Sequence, residues 1–392
     1  MQKGLFNIIY QWLLILTFIV FLCTPPIKMF LTQKSYFSFT EKRALAHFPH
    51  PPQSPEQIRP FFKGVDTYFD DHFGFRGFFI YRYQREVRKR FGITGSQTLV
   101  HQGINGWLYL GQTDSLLDYA GKNLLSQDEL KNWVEHYQKK RTWLAEKGIQ
   151  YLLIAAPDKQ RIYPEHLMEN WQELYAPGRL QQLIEARPEI AQRELITLAG
   201  PLKKAKSTKK QVYLKSDTHW TRYGAYLAYL QIIKKLSEYF PGESFRTNFA
   251  FSGPKPVMCS PKQQKHCGDL AKMLLDFEPI EDQVKFLFPY RSCAKPVSFT
   301  ATLSNLPAAE DKPTLVKKCQ GKKLKAVIFR DSFFVALEPY VSENFGEVIY
   351  LWKSYDQQNI EEILPFFKPD IVIEERVERK LFLNEFMYQE TS

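Results

Sequence analysis

The sequence has no close Cys-x-x-Cys pair, no zinc-finger spacing and no RNA-binding signature among its 392 residues. Thiol-bound zinc therefore has little support, even with His266 beside the cysteines, and nucleic acid is not an expected partner. Internal repeats are missing too. The five cysteines are few and unevenly placed. Cys23 sits in an apolar run, whereas Cys259, Cys267, Cys293 and Cys319 fall in one region. An even set of that kind predicts two disulfides in an oxidising compartment. Sequential pairing, Cys259–Cys267 and Cys293–Cys319, is the expectation among the possible connectivities.

A small-residue cleavage site is also absent. Leu5 to Thr24 is nearly all apolar, broken by Asn7, Gln11 and Thr17, and is long enough to cross a bilayer once. Phe21-Leu22-Cys23-Thr24-Pro25-Pro26 fits a signal-peptidase site poorly, and Cys23 lacks the preceding small residues of a lipoprotein signal. The segment reads as an uncleaved signal anchor at 1–24, with a cleaved signal peptide as the alternative. Lys3 precedes it, and Lys28, Lys34, Lys42 and Arg43 follow. The positive-inside rule thus does not favour an exported C-terminus, but long domains translocate largely regardless of charge. The paired cysteines point to export. The expected location is a bacterial inner membrane, single-pass, with the large domain in the periplasm.

Acidic residues are in deficit: 53 Lys and Arg stand against 42 Asp and Glu, a formal net charge of +11. A basic exported domain suits an anionic polysaccharide or a negative membrane surface. Solvated lysine clusters, as at 203–210 and 317–325, account for the same charge without any partner.

Residues 25–94 read as a linker and juxtamembrane helical region. His47 to Pro55 is too rich in proline for regular structure. Ile58 to Phe91 is amphipathic at helical spacing, with a break near Phe73-Gly74-Phe75. From residue 95 the pattern changes. Leu99 to Leu110 predicts two short strands around Asn105-Gly106. Ser126 opens a helix running through Lys147, and Ile149 to Ala156 reads as a buried strand. Short helices are expected at Pro177 to Glu185 and Pro188 to Leu195, a strand at Gln211 to Leu214, and a helix at Ala225 to Tyr239. Residues 240–320 are proline-rich and weakly periodic, and read as an insertion stapled by disulfides. Strands at Lys325 to Phe329, Glu347 to Trp352 and Asp370 to Glu374 then alternate with helices at Phe333 to Val341 and Ile360 to Phe367. Alternation of this kind implies parallel β-α-β units.

Two short pieces carry chemistry. Asp217-Thr218-His219-Trp220 offers an acid and a base from one loop, and Arg330-Asp331-Ser332-Phe333 offers a hydroxyl at a strand-to-helix turn. A serine hydroxyl needs a histidine to take its proton, and the histidine needs a carboxylate to hold its tautomer. Each residue also has a structural reading: Asp217 as a helix cap, His219 as a histidine packed beside Trp220, Ser332 as the N-cap of the following helix. Their joint placement at strand ends favours acyl chemistry.

The same residues carry a resemblance. Asp71-His72-Phe73-Gly74-Phe75-Arg76, Gly106-Trp107-Leu108-Tyr109, Ala156-Pro157-Asp158-Lys159 and Tyr163-Pro164-Glu165 match in order, followed by Asp217-Thr218-His219-Trp220 with Gly224-Ala225. Arg330-Asp331-Ser332-Phe333, Pro339-Tyr340 with Asn344-Phe345, and Lys368-Pro369-Asp370-Ile371-Val372 complete the set. The chain resembles the membrane-anchored SGNH-hydrolase-like proteins of bacterial exopolysaccharide acetylation, the alginate O-acetyltransferase proteins and their broader DHHW relatives. Arg330-Asp331-Ser332 departs from the Gly-Thr-Ser-like piece of the alginate group and leans toward the DHHW relatives. The resemblance implies catalytic Asp217, His219 and Ser332. It also implies a circularly permuted order, with Asp and His before Ser, and an acetyl donor supplied by a multipass membrane O-acyltransferase.

The expected fold is a three-layer α/β/α domain over 95–392 with a mainly parallel sheet, on one N-terminal transmembrane helix. The expected activity is periplasmic O-acetyl transfer to an exported polysaccharide through an acetyl-serine, with no cofactor and no metal. An acetyl esterase with the same triad and a non-catalytic polysaccharide-binding or assembly subunit are the alternatives. Further candidates are the Ser332 N–H as an oxyanion donor, Arg330 and Lys159 for sugar carboxylates, and Trp107, Tyr109, Tyr163 and Trp220 as a stacking surface. Arg330 and Lys159 each also fit a structural ion pair. Asp71, His72 and Arg76 look catalytic by type but lie on the linker side, and read as a clasp between the anchor-proximal helix and the domain.

Overall fold

The computed structural model describes residues 2–31, 37–38, 43–91, 100–111, 114–260, 262–274, 279–297 and 314–382. It divides into two compact units, Met1–Leu99 with Ala271–Asp276, and Val100–Leu270 with Phe277–Ser392. In the first unit a helix covers Gln2–Leu31. Within it Ile9–Leu31 is long and apolar enough to cross a membrane, a property that anchors and signal sequences share.

Two further helices, Ile58–His72 and Arg76–Phe91, are separated at the expected break, where Phe75 takes a φ of 66°. The Asp71 carboxylate accepts the Ala46 N–H (2.8 Å), and His72 Nε2 bonds the Ala46 carbonyl oxygen (2.9 Å). The clasp read from the sequence thus closes on the segment just before its own helix, inside the first unit. Arg76 opens the second helix.

The second unit is built on a seven-stranded sheet. Its strands are β1 (Gln150–Ala156), β2 (Leu195–Thr197), β3 (Ala294–Pro296), β4 (Leu315–Cys319), β5 (Lys325–Phe329), β6 (Glu347–Leu351) and β7 (Ile371–Val377). The spatial order is β2-β1-β7-β5-β6-β4-β3. From β2 to β6 every pairing is parallel, whereas β4 and β3 add on antiparallel at one edge. Both faces are buried, as near-continuous apolar strands require. Leu152, Ile154, Ala326, Ile328, Val348 and Tyr350 face one core, which also takes Ala225, Ala228, Tyr229, Ile232 and Leu236 from the helix Arg222–Tyr239. Tyr151, Leu153, Val327, Phe329, Ile349 and Leu351 face the other, under helices Gln127–Glu146, Arg179–Ala186 and Gln357–Ile363. Ser126 caps the first of these helices in a capping box with Glu129.

Three expectations change. Residues 240–320 are not wholly an insertion, since β3 and β4 from that stretch join the main sheet. Ala-Lys-Pro of β3 has the lysine and proline of an edge strand, and the two lysines of Leu-Val-Lys-Lys-Cys in β4 break the apolar pattern of a core strand. The helix expected at Phe333 to Val341 is instead a 3₁₀ turn, Ser332–Ala336, followed by a short helix, Glu338–Val341. Pro339 has no N–H for a continuous α-ladder and sits in the first turn of the short helix, where that N–H is not needed. No long helix lies beneath Ser332 to lend it a dipole. Gln211 to Leu214 also falls short of a strand and makes only an isolated bridge, Tyr213 with Trp220.

Candidate active site

In a parallel sheet the carboxyl ends of the strands share one edge, where α/β proteins assemble their sites. The ends of β1, β5 and β7 deliver Asp158 with Lys159, Arg330 to Ser332, and Glu378 with Arg379 to that edge. A turn from Tyr213 to Trp220, closed by hydrogen bonds from Leu214 N–H to His219 O (3.3 Å) and from Thr221 N–H to Val212 O (2.8 Å), presents Asp217 and His219. Gly224 fits here because a Cβ would meet the Val212 oxygen at 2.3 Å. The Trp220 indole N–H donates to the Phe333 carbonyl (3.0 Å) and ties this turn to the serine loop.

The three residues meet in a chain. Asp217 Oδ1 lies 2.6 Å from His219 Nδ1, and His219 Nε2 lies 2.7 Å from Ser332 Oγ. The two capping readings fall away. The helix Arg222–Tyr239 is capped by Thr221, whose Oγ1 accepts the Gly224 N–H (3.0 Å), so Asp217 is not its cap. Asp331, not Ser332, caps the 3₁₀ turn by accepting the Phe333 N–H (2.8 Å). Its other oxygen accepts the Val377 N–H (2.9 Å), locking the turn to β7. Ser332 keeps its hydroxyl for the histidine, and its N–H has no acceptor among the described residues.

Electrostatics follow the geometry. Burial alone would push the His219 pKa down, but the hydrogen bond and charge of Asp217, helped by Asp269, hold it above the usual imidazole range. Burial pushes Asp217 up, and its bonds to the His219 ring and to the His219 and Asp269 N–H groups outweigh this, so it lies far below the usual carboxylate range. Asp217, His219 and Asp269 offer ligand atoms within 4.8 Å of one another. Those atoms are already engaged with each other and with Thr218 and Ser332, which argues against a metal there.

The remaining candidates have structural work. Lys159 is buried, and its ammonium donates to the carbonyls of Leu214 (3.0 Å), Lys215 (3.0 Å) and Asp217 (2.6 Å), holding the loop that carries Asp217 and His219. Burial pushes it down to about 8 against the pull of Asp217, Asp269 and Asp282. Trp107 packs at a tilt against Tyr163 (4.2 Å) and stacks on His166 (4.7 Å), and only 3% of it is exposed. Tyr163 accepts the Val212 N–H (3.0 Å), and Tyr109 donates to the Tyr163 carbonyl (2.6 Å). With Trp220 also buried, none of these rings offers a face to a sugar. Arg330 lies over the Trp352 ring (4.3 Å), with Nε and Nη1 buried and unbonded.

Sequence reasoning missed Arg379, Glu375 and Asp269. Arg379 is buried, bonds Asp158 through its backbone N–H (3.2 Å) and its guanidinium, and lies 5.6 Å over the Phe333 ring. Glu375 accepts the Asp331 N–H (3.3 Å), and burial beside Asp331 pushes its carboxyl well up. No sequence spacing links either residue to the serine, because β7 and β5 pair only in the sheet. The cysteines join as Cys259–Cys267 and Cys293–Cys319.

Residues 100–287 match a family model described as SGNH hydrolase-like domain, acetyltransferase AlgX. This segment is similar to that family over 100–287. The match includes Asp217 and His219 and ends before Ser332. A Pseudomonas fluorescens protein named probable alginate O-acetylase AlgJ is 31% identical over 220 residues, 56% of this chain and 51% of that one. The Azotobacter vinelandii protein of the same name is 32% identical over 123 residues, 31% of this chain and 30% of that one. The chain spans about half the length of the first of these curated relatives, at 51%. These relatives carry the alginate name, although Arg330-Asp331-Ser332 leaned toward the broader DHHW group. The structure of Bacillus cereus PatB1 with a sulfonyl adduct superposes with a TM-score of 0.51 at 12% identity, covering 72% of this chain and 95% of that one. That likeness bears on the fold alone, a mixed α/β domain with a mostly parallel sheet.

Proposed function

We propose that this chain is an O-acetyltransferase acting on an exported polysaccharide, with Asp217, His219 and Ser332 as its triad. The observation that carries the reading is the unbroken relay from carboxylate to imidazole to hydroxyl, at 2.6 Å and 2.7 Å. The AlgX-type family match and the O-acetylase names of the relatives support it. His219 takes the Ser332 proton as Oγ attacks the acetyl carbonyl, and the donor's leaving group takes that proton from His219. Asp217 holds the Nδ1 proton and stabilises the imidazolium. A sugar hydroxyl then attacks the acetyl-serine, gives its proton to His219, and leaves as the acetate ester while His219 returns the proton to Oγ. The Ser332 N–H faces the developing oxyanion. The apolar helix at the N-terminus would hold the domain on the periplasmic side of the inner membrane, near a multipass O-acyltransferase that supplies the acetyl group.

The general base must be neutral to accept a proton. Because His219 is held above the usual imidazole range, kcat/KM is expected to rise with pH to a plateau, with its acid-limb midpoint above about 6.5. A midpoint at or below that value counts against His219 as the base. The function itself is tested with the full chain in detergent, a chromogenic acetyl ester and an anionic glycan. Acetylated glycan supports the transferase. Free acetate alone, unchanged by glycan, identifies an esterase.

A further inference from the structure

The disulfide loop that ends at Cys267 leads directly onto the back of the triad. Cys267 is joined to Cys259, with Cα atoms 4.5 Å apart. Gly268 follows, and a Cβ there would lie 2.4 Å from both Asp217 Cβ and the Ser216 carbonyl oxygen. Its N–H donates to Ser216 Oγ (3.0 Å). The next N–H, that of Asp269, donates to Asp217 Oδ2 (3.1 Å). The Asp269 carboxylate then turns onto the residue between acid and base. Oδ1 accepts the Thr218 N–H (2.8 Å) and Oδ2 accepts the Thr218 hydroxyl (2.7 Å). Oδ2 is also 3.9 Å from His219 Nδ1.

We infer that Asp269 is a positioning residue of the triad, a second carboxylate behind His219, and that the Cys259–Cys267 bridge holds it there. The inference rests on the triad reading of the preceding section. Asp217 uses Oδ1 on the histidine, and a carboxylate with its other oxygen loose would turn about its terminal bond. The Asp269 N–H occupies that oxygen, and the carboxylate pins Thr218 from the opposite side. Its charge adds to that of Asp217 in favouring the imidazolium formed during transfer. The charged groups facing His219 are Asp217 and Asp269, opposed by the Arg379 guanidinium, and Lys159 holds the loop from the far side. The bridge matters because, among the described residues between Cys259 and Asp269, the regular structure is a single 3₁₀ turn, Gln264–His266.

Asp269→Asn keeps an acceptor oxygen for the Thr218 N–H and removes the charge. In the full chain, kcat is expected to fall about tenfold, and the acid limb to move down by about one pH unit. The Cys259→Ser/Cys267→Ser variant should lower kcat by a similar factor and shift the limb the same way. Combined with Asp269→Asn it should add little more, because both act through one contact. Wild-type kcat with an unshifted limb in Asp269→Asn overturns the inference, as does a combined loss equal to the product of the two. If Asp269→Asn does not fold, the cysteine variant alone decides by its limb: a shift supports the inference, an unshifted limb overturns it. Ser332→Ala separates the two levels. Full turnover in that variant sinks the triad reading itself, whereas its loss beside an unaffected Asp269→Asn sinks only the role of Asp269.

Discussion

Ser332→Ala is expected to lower acetyl turnover by at least about 10³-fold and to abolish the acetyl-enzyme. The loss is large because the hydroxyl is the attacking atom, and because a triad acts as a unit. His219 Nε2, 2.7 Å from Oγ, makes no second hydrogen bond to a hydroxyl among the described residues. Thr218 Oγ1, at 3.2 Å, lies on the Nδ1 side and is held by Asp269. Intact mass of enzyme quenched during turnover reads the adduct directly, present in the wild type and missing in the variant. An adduct that persists in Ser332→Ala places the nucleophile elsewhere. The fold should survive, since Asp331 and not Ser332 caps the turn.

The second large effect is on stability. Arg379→Met is expected to cost about 3–5 kcal/mol, because it leaves the Asp158 carboxylate buried without its partner. Asp158 is 5% exposed and Arg379 7% exposed, so neither can turn to solvent for relief. Burial already pushes Asp158 up, and the Arg379 guanidinium is what pulls it back. Glu378 beside it is pushed up to about 8 by burial and by Asp158, so a further unpaired charge there is poorly tolerated. Denaturant unfolding measures the cost. Adding Asp158→Leu to Arg379→Met should restore part of the loss, as a buried pair exchanged whole for apolar groups often does. A single-variant cost below about 1 kcal/mol, the worth of an exposed pair, contradicts the buried-pair account.

The two halves of the site differ in how far they could be read. Asp217 and His219 share a turn, and Ser332 closes an apolar strand, so local chemistry marked all of them. The rings of Trp107, Tyr163 and Trp220 lie buried, which residue type did not show, because it cannot tell a ring at a strand end that faces substrate from one that faces core. Lys159 was visible as a buried-strand terminus, but its three carbonyl partners lie some fifty residues away in the chain. Asp269 had no local mark at all. Its significance comes from Gly268 approaching Asp217 within contact distance, which requires the closed disulfide loop.

Composition, the apolar N-terminal run, the β-α alternation and the order of the two motifs were determined by the sequence itself, because periodicity and turn chemistry act over a few residues. Tertiary structure alone decided that β3 and β4 extend the sheet, that Pro339 leaves Ser332 without a long helix beneath it, and that Arg379 and Asp269 stand around Asp217, His219 and Ser332. Such relations depend on which strand lies beside which. That choice is made by burial of both sheet faces across residues distant in the chain, and no local pattern encodes it.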